Sequence, residues 1–327
     1  MQARCLQYGI QQNAERCIMS KENIKNLFGL LNKTDILTFV YLLINILYVL
    51  IGYKRVDHPQ TLLITLFSIL VAMFVIAFYD RQLSIKPKRL VYRLTHFVHL
   101  WYAPIMYGYF FEATSRVNRV IFKDFLDHIF QKWDFLIFGY QPAMHWGTVW
   151  DWYWLQELLH FSYFAYYLMI FGVPFYIYFR KKEEIFKRLV FNITFVFYCC
   201  YLIYMILPVI GGRALEGAFD LTIEYRYGIF THIMAFIYRS TPHLGGAFPS
   251  SHVAIALTIC LISMRYYKYL PYVLFPITFL LAISTVYCHY HYFVDTIAGV
   301  FCGLIFFYFS EKLYNRVKIV DKKCVKK

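Results

Sequence analysis

The stretch "LLITLFSILVAMFVIAFY", residues 62–79, contains eighteen residues and no charge. Wound as a helix at about 1.5 Å per residue it covers about 27 Å, most of a hydrocarbon core of roughly 30 Å. A soluble core helix needs a polar face, and this run has none to offer. It reads as a membrane span, and the same signal recurs along the chain. Further runs are Ile36–Tyr53, Phe97–Phe111, Phe161–Phe179, Leu189–Ile210, Val253–Met264, Leu270–Tyr287 and Phe293–Phe309. Val253–Met264 is short, and Gly245–Phe248 is available to extend it.

Composition agrees. Hydrophobic residues make up 60% of the 327 and charged residues 16%, with a mean hydropathy of +0.48. Soluble domains are nearer half apolar and a quarter charged. The expected class is an all-α polytopic membrane protein with about eight transmembrane helices. Helices are required because backbone exposed to lipid must satisfy its hydrogen bonds within the segment. The runs lack the alternation of an outer-membrane barrel.

Lys and Arg set the expected orientation. Clusters lie in the N-terminal arm, after the second span (Arg81, Lys86, Lys88, Arg89, Arg93), after the fourth (Arg180, Lys181, Lys182, Lys187, Arg188), after the sixth (Arg265, Lys268) and in the tail. Eight spans put all five on one side, expected to be cytoplasmic with both termini; Lys54 and Arg55 run against the pattern. The net charge of +14 is thus a topology signal. A nucleic-acid surface would not alternate with apolar runs, so no nucleic-acid partner is expected. No cleavable signal peptide is expected, since the first apolar run starts past residue 30. The eight cysteines form neither metal-ligand spacing nor a disulfide framework.

The chain divides into a cytoplasmic arm (1–34), two N-terminal spans (35–93), a membrane catalytic domain (94–313) and a basic cytoplasmic tail (314–327). Two inserts face the non-cytoplasmic side. In residues 112–153, "VNRVIFKDFLDHIFQKWDFLIFG" is amphipathic at helical spacing and suits the membrane interface. Four tryptophans at 146, 150, 152 and 154 fit an interfacial belt. A membrane-surface helix that shapes the fold is the plain reading, substrate recognition the alternative. In the second insert, Gly211–Phe248, "IFTHIMAFIY" suits a short interfacial or re-entrant helix.

Three polar clusters share that side. Arg213 follows the fifth span. Ser250, Ser251 and His252 open the sixth, where free N–H groups and the helix dipole favour an anion. His289, His291 and Asp295 lie between the seventh and eighth. Together they suit phosphoryl transfer. Arg213 forks onto phosphate oxygens. His291 and Asp295, four apart, share a face if that stretch is helical, and a carboxylate on one ring nitrogen makes the other a better nucleophile. His252 serves as general acid. Taken singly, Ser-Ser-His is a helix cap, His-x3-Asp a structural pair and Arg213 a head-group anchor. Glu157 and His160 either line the cavity or bond between helices, as do His96 and His99. His243 is within reach of the site, and Asn192 reads as a helix–helix contact. No metal or other cofactor is expected, as acidic ligands are scarce and no His-x3-His spacing occurs.

At these residues the chain resembles the type 2 phosphatidic acid phosphatase superfamily, which includes the vanadium haloperoxidases. The resemblance runs over roughly Phe161–Phe309. The family pattern Pro-Ser-Gly-His appears as Pro249-Ser250-Ser251-His252. The pattern Ser-Arg-x5-His-x3-Asp appears as Ser284-Thr285, then His291 and Asp295, with threonine in place of arginine. The pattern Lys-x6-Arg-Pro is met only by Arg213, with Ile206 and Ala214 at its other positions. The resemblance implies a six-helix catalytic core, His291 as phosphohistidine nucleophile, Asp295 as its orienter and His252 as acid. The missing arginine, and His289 two residues before the nucleophile, are similar to inositol phosphorylceramide synthases and, more distantly, sphingomyelin synthases. That branch implies transfer of a phospho-head group from a phospholipid to a lipid alcohol. A lipid phosphate phosphatase shares the first half-reaction and is the alternative. A non-catalytic lipid-binding protein is the alternative from another class, and a transporter would need paired broken-helix repeats that the chain lacks. His289 and Glu157 are the further substrate-contact expectations.

Overall fold

Each of the eight predicted spans is a helix in the computed structural model, which describes residues 29–85, 89–223, 228–240 and 243–317. Most of the N-terminal arm and of the tail, with Lys86, Lys88, Tyr225, Arg226 and Tyr227, lies outside the described residues. In chain order the spans are α1 (Lys33–Ile51), α2 (Pro59–Leu83), α3 (Leu90–Ser115), α6 (Tyr153–Phe179), α7 (Glu183–Ile206), α10 (Ser251–Tyr266), α11 (Leu270–Tyr287) and α12 (Phe293–Arg316). The inserts supply α4 (Asp127–Phe138), α5 (Pro142–Val149), α8 (Ala218–Ile223) and α9 (Ile229–Ser240). Among the described residues there is no β-strand, only an isolated bridge between Val209 and Gly246. The protein is an all-α polytopic membrane protein. Among the described residues six helices, α1, α2, α6, α7, α11 and α12, are long and apolar enough to cross a bilayer on their own.

The helix ends follow local chemistry. Asn32 caps α1, its side chain accepting from Thr34 N at 2.8 Å and Asp35 N at 3.0 Å, while Asp35 Oδ2 accepts from Asn32 N at 2.6 Å. This reciprocal cap satisfies donors that the first turn leaves free. Proline opens α2, α5 and α11, where its missing N–H costs nothing. Gly139 closes α4 at φ +74, the left-handed conformation that glycine adopts without strain.

The sixth span differs from expectation. Gly245–Phe248 does not extend α10, which has 16 residues and reaches only about 24 Å. It tolerates that length because other helices, not lipid, surround it. Ala254, Ile255, Ala256, Ile259 and Cys260 are fully buried, and α6, α7, α11 and α12 pack around them. The third span starts earlier than predicted, at Leu90. His96 and His99 on α3 sit beside Asp80 of α2 at 2.9 Å each, and His99 also beside Asp35 of α1 at 2.9 Å. These pairings let polar residues lie inside the bundle.

Polar contacts also show which helix ends lie together. At one end, Glu311 of α12 accepts from Arg188 of α7 (2.8 and 2.5 Å) and Asn192 (2.8 Å) and pairs with Arg265 of α10. Asn192 is thus a helix–helix contact, as its position suggested. His96 joins the same end through Glu183 of α7 at 3.3 Å. The other end gathers the start of α10, the α11–α12 turn, Arg213 and the inserts, and there the candidate site lies.

Candidate active site

Several separate chain segments meet around a cavity of about 80 Å³, lined by Arg213, His243, His252, His291, Tyr163, Tyr167, Tyr238, Tyr290 and Phe111, with apolar residues between. That is room for several water molecules. Ser250 is the N-cap of α10, and its hydroxyl lies 3.3 Å from His291 Nε2. The rings of His252 and His291 are 6.0 Å apart between centroids. Arg213, in a short 3-10 turn at Gly212–Ala214, donates from Nη2 to the His243 carbonyl at 3.1 Å. Its guanidinium lies over the Tyr238 ring, 4.9 Å from the centroid. The cavity thus holds three imidazoles and one permanent cation.

His291 and Asp295 do not share a helical face. His291 stands in the turn before α12, and Asp295 in the first turn of that helix. They still approach, with Nδ1 and Oδ2 3.5 Å apart, longer than a well-formed hydrogen bond. Catalytic contacts often tighten only when substrate binds. Asp295 Oδ2 accepts from Tyr292 N at 2.9 Å, so the carboxylate also caps its own helix. Burial, and then the charge of Arg213, lower the His291 pKa to about 3. The imidazole is therefore neutral and keeps a nucleophilic lone pair at neutral pH.

His291 is held mainly through backbone. The Thr285 carbonyl accepts from Tyr290 N at 3.0 Å and from His291 N at 2.8 Å. The Thr285 side chain, fully buried, bonds Thr296 Oγ1 at 2.7 Å. Across the junction of the two motifs, Ser250 N donates to the Asp295 carbonyl at 3.0 Å. Gly299 permits this approach: a Cβ there would sit 2.6 Å from the Ser250 carbonyl oxygen. Tyr204 of α7 pins the same turn, donating to Pro249 O at 2.9 Å and accepting from Ser251 N at 3.2 Å.

Helix α4 buttresses the site. Asp134 accepts from Phe293 N at 2.8 Å and Val294 N at 3.0 Å, capping α12 from outside. Asp127 accepts from Ile210 N at 3.1 Å, Gly211 N at 3.0 Å and Tyr292 Oη at 3.0 Å. It thereby fixes the turn that carries Arg213. Gly211 has φ +92 and lies where a Cβ would meet the Tyr290 carbonyl at 2.5 Å, so a glycine is required. Burial raises the pKa of both carboxyls, to about 6 for Asp134, against the N–H bonds that favour the anion.

Other expected contacts lie elsewhere. The Glu157 carboxylate takes Gly228 N (3.1 Å), Phe230 N (2.9 Å) and Thr231 N (3.0 Å) and the Thr231 hydroxyl (2.6 Å). It caps α9 and does not line the cavity. The His289 ring turns away, bonding the Ala143 carbonyl and packing on Gly147 of α5. His160 bonds Gln156 O within α6, at 2.7 Å. Ser251 contributes its N–H to Tyr204, and its side chain is absent from the cavity lining. His243 does reach the cavity. Its Nε2 is 2.9 Å from Thr114 Oγ1, and burial, then Arg213, depress its pKa to about 3. Among the described residues no three His, Cys, Asp or Glu side chains converge as metal ligands would.

Sequence reading missed the two aspartates and the cavity tyrosines. Asp127 and Asp134, seven apart, lie on one face of the amphipathic stretch, and acidic residues on a buried face are a usable signal. Tyr163 and Tyr238 carry no such mark among 31 tyrosines.

The family model described as "PAP2 superfamily" matches residues 134–309. A PA-phosphatase related-family protein of Dictyostelium discoideum is 26% identical over 189 residues, covering 49% of this chain and 34% of that relative. The match thus spans about a third of the relative's length. No solved structure matches.

Proposed function

Because the chain belongs to the PAP2 superfamily, we propose that it is a lipid phosphoryl enzyme that works through a phosphohistidine. The reading rests on one observation above all: His252 and His291 face one cavity, 6.0 Å apart, with Arg213 in its wall. His291 Nε2 attacks phosphorus while the P–O bond to the lipid breaks. His252 gives its proton to the departing oxygen. Asp295 beside Nδ1 holds the ring and stabilises the charge that develops. Arg213 binds the equatorial oxygens. An acceptor hydroxyl then attacks, gives its proton to His252 and releases His291.

We read the acceptor as a lipid alcohol. Thr285 stands where the phosphatase pattern has arginine, and Phe111 with four tyrosines lines part of the cavity, which favours an organic acceptor over water. Hydrolysis is the second reading, and the name of the Dictyostelium relative speaks for it. Both share the residues above. The Lys and Arg clusters support cytoplasmic termini and a site on the periplasmic, luminal or exterior face.

The test uses purified protein with labelled phosphatidic acid or phosphatidylinositol, with ceramide or diacylglycerol added. Released and transferred label are scored separately. Transfer above release supports the alcohol acceptor, and release alone returns the enzyme to the phosphatases. Turnover that survives His291→Ala would remove the phosphohistidine.

A further inference from the structure

The proton carried by His252 needs a defined nitrogen, and the side chain has two. Its Nε2 lies 3.1 Å from the hydroxyl of Tyr163 on α6. Its Nδ1 is buried and has no hydrogen-bond partner. The Tyr163 hydroxyl is also 2.8 Å from that of Tyr238 on α9. Tyr163 is fully buried, and its ring packs on His252 at 4.8 Å. Tyr238 is fixed by Arg213 on its ring and by Tyr290, stacked at 4.1 Å and 1°. The His252 ring is therefore tied at one nitrogen to a short chain of hydroxyls, and the other nitrogen is left for chemistry.

We propose that Tyr163, backed by Tyr238, is the positioning residue that makes Nδ1 of His252 the proton-carrying nitrogen. This rests on the reading of His252 as the acid. In the loaded state the imidazolium donates Nε2–H to Tyr163, and Tyr163 donates its O–H to Tyr238. As the P–O bond to the leaving lipid breaks, the Nδ1 proton moves to the leaving oxygen. The N–H electron pair stays on Nδ1, and the ring becomes neutral with its proton on Nε2. In the second half-reaction the acceptor hydroxyl gives its proton to Nδ1 as its oxygen bonds to phosphorus. The His291 N–P bond breaks, and its electron pair returns to His291. His252 ends protonated as it began.

The direction of the chain follows from this cycle. Tyr163 has two partners and one proton, so it accepts from one and donates to the other. Accepting from Nε2–H is the only arrangement that serves both protonation states without turning a hydroxyl round between half-reactions. Which ring nitrogen carries the proton is set by the bond the other makes. Here a tyrosine takes the place that a carboxylate fills beside other catalytic histidines.

The test separates acid assistance from structure by the leaving group. A lipid alkoxide needs protonation to depart, and a nitrophenolate does not. We compare kcat/KM, which reads phosphoenzyme formation, for whichever of phosphatidic acid and phosphatidylinositol is turned over and for the p-nitrophenyl ester of its phospho-group. Tyr163→Phe should lose about a hundredfold on the lipid, at the low end of general-acid effects, and less than about threefold on the nitrophenyl ester. Tyr238→Phe should show the same selectivity with a loss of about tenfold. Near-normal turnover of the ester also shows that the variants are folded. Equal losses on both substrates, or none, would overturn the proposal. His252→Ala is the control for the underlying reading. If it lacks the leaving-group signature, the acid assignment fails first; if it shows the signature and Tyr163→Phe does not, only the tyrosine's role is lost.

Discussion

Asp134 is the sharpest place to perturb the link between α4 and His291, the nucleophile of the proposed mechanism. Its carboxylate caps the first turn of α12 through Phe293 N and Val294 N, and Phe293 is two residues from His291. Asp134→Ala leaves both N–H groups without that acceptor. A buried orphan donor costs about 1–3 kcal/mol, and losing a cap costs about 0.5–2 kcal/mol. Phe293 and Val294 are only partly buried, so water recovers some of this, and the net loss should be about 1–2 kcal/mol. The freed turn carries His291 with it, and a nucleophile held less firmly costs about tenfold in kcat for each 1.4 kcal/mol. Asp134→Asn keeps one acceptor oxygen and should fall about halfway. The two variants also differ from wild type in their response to pH. Asp134 has a folded pKa of about 6 against 3.8 for an ordinary aspartate, so between these values the folded state binds more protons than the unfolded. Its contribution to stability is complete below pH 3.8 and is lost as pH rises through about 6. Melting curves in detergent from pH 4 to 7.5 should therefore fall more steeply for wild type than for Asp134→Asn. Wild-type melting and wild-type kcat in Asp134→Ala would refute the buttress.

Four shorter predictions test other parts of the frame. Gly299→Ala forces a Cβ to within 2.6 Å of the Ser250 carbonyl; overpacking of this kind costs about 1–3 kcal/mol, and turnover should drop with it, as read by thermal unfolding and kcat together. Glu311→Ala strands Arg188 beside a lost partner at the far end of the bundle; it should destabilise by about 3 kcal/mol, while activity per folded molecule, normalised by gel filtration, stays near wild type. Orthovanadate should inhibit by mimicking the in-line transition state, and Arg213→Ala should weaken that inhibition; an unchanged response would make Arg213 a head-group anchor. His291, with a pKa near 3, should remain neutral from pH 5 to 8, which imidazole resonances in labelled protein would report as the absence of a titration step.

The spans were legible because each apolar run had to close its own hydrogen bonds. The start of α3 was not, because His96 and His99 look like a boundary until Asp80 and Asp35 arrive from other helices. His252, His291 and Asp295 stood out as polar residues at span ends. Their mutual geometry was less legible: spacing suggested a shared helical face, and the structure brings His291 and Asp295 together at a helix start instead. Glu157 shows the same limit. A carboxylate near a span end looked able to meet substrate, yet the backbone of α9, distant in sequence, folds onto it. Asp127 and Asp134 were hidden because their partners are backbone N–H groups, which every residue type supplies and no sequence pattern marks.

Thr285 divides its work between two parts of one residue. Its carbonyl holds the nucleophile's turn, and any amino acid except one that distorts the helix end would provide it. Its side chain occupies the place where the family pattern has a phosphate-clamping arginine, and here it is spent on a bond to Thr296. A substitution at this position therefore breaks the contact with Thr296 while the backbone carbonyl still holds the turn of His291. On the proposed mechanism, the surroundings of the phosphate can change in this way while the first chemical step keeps its nucleophile.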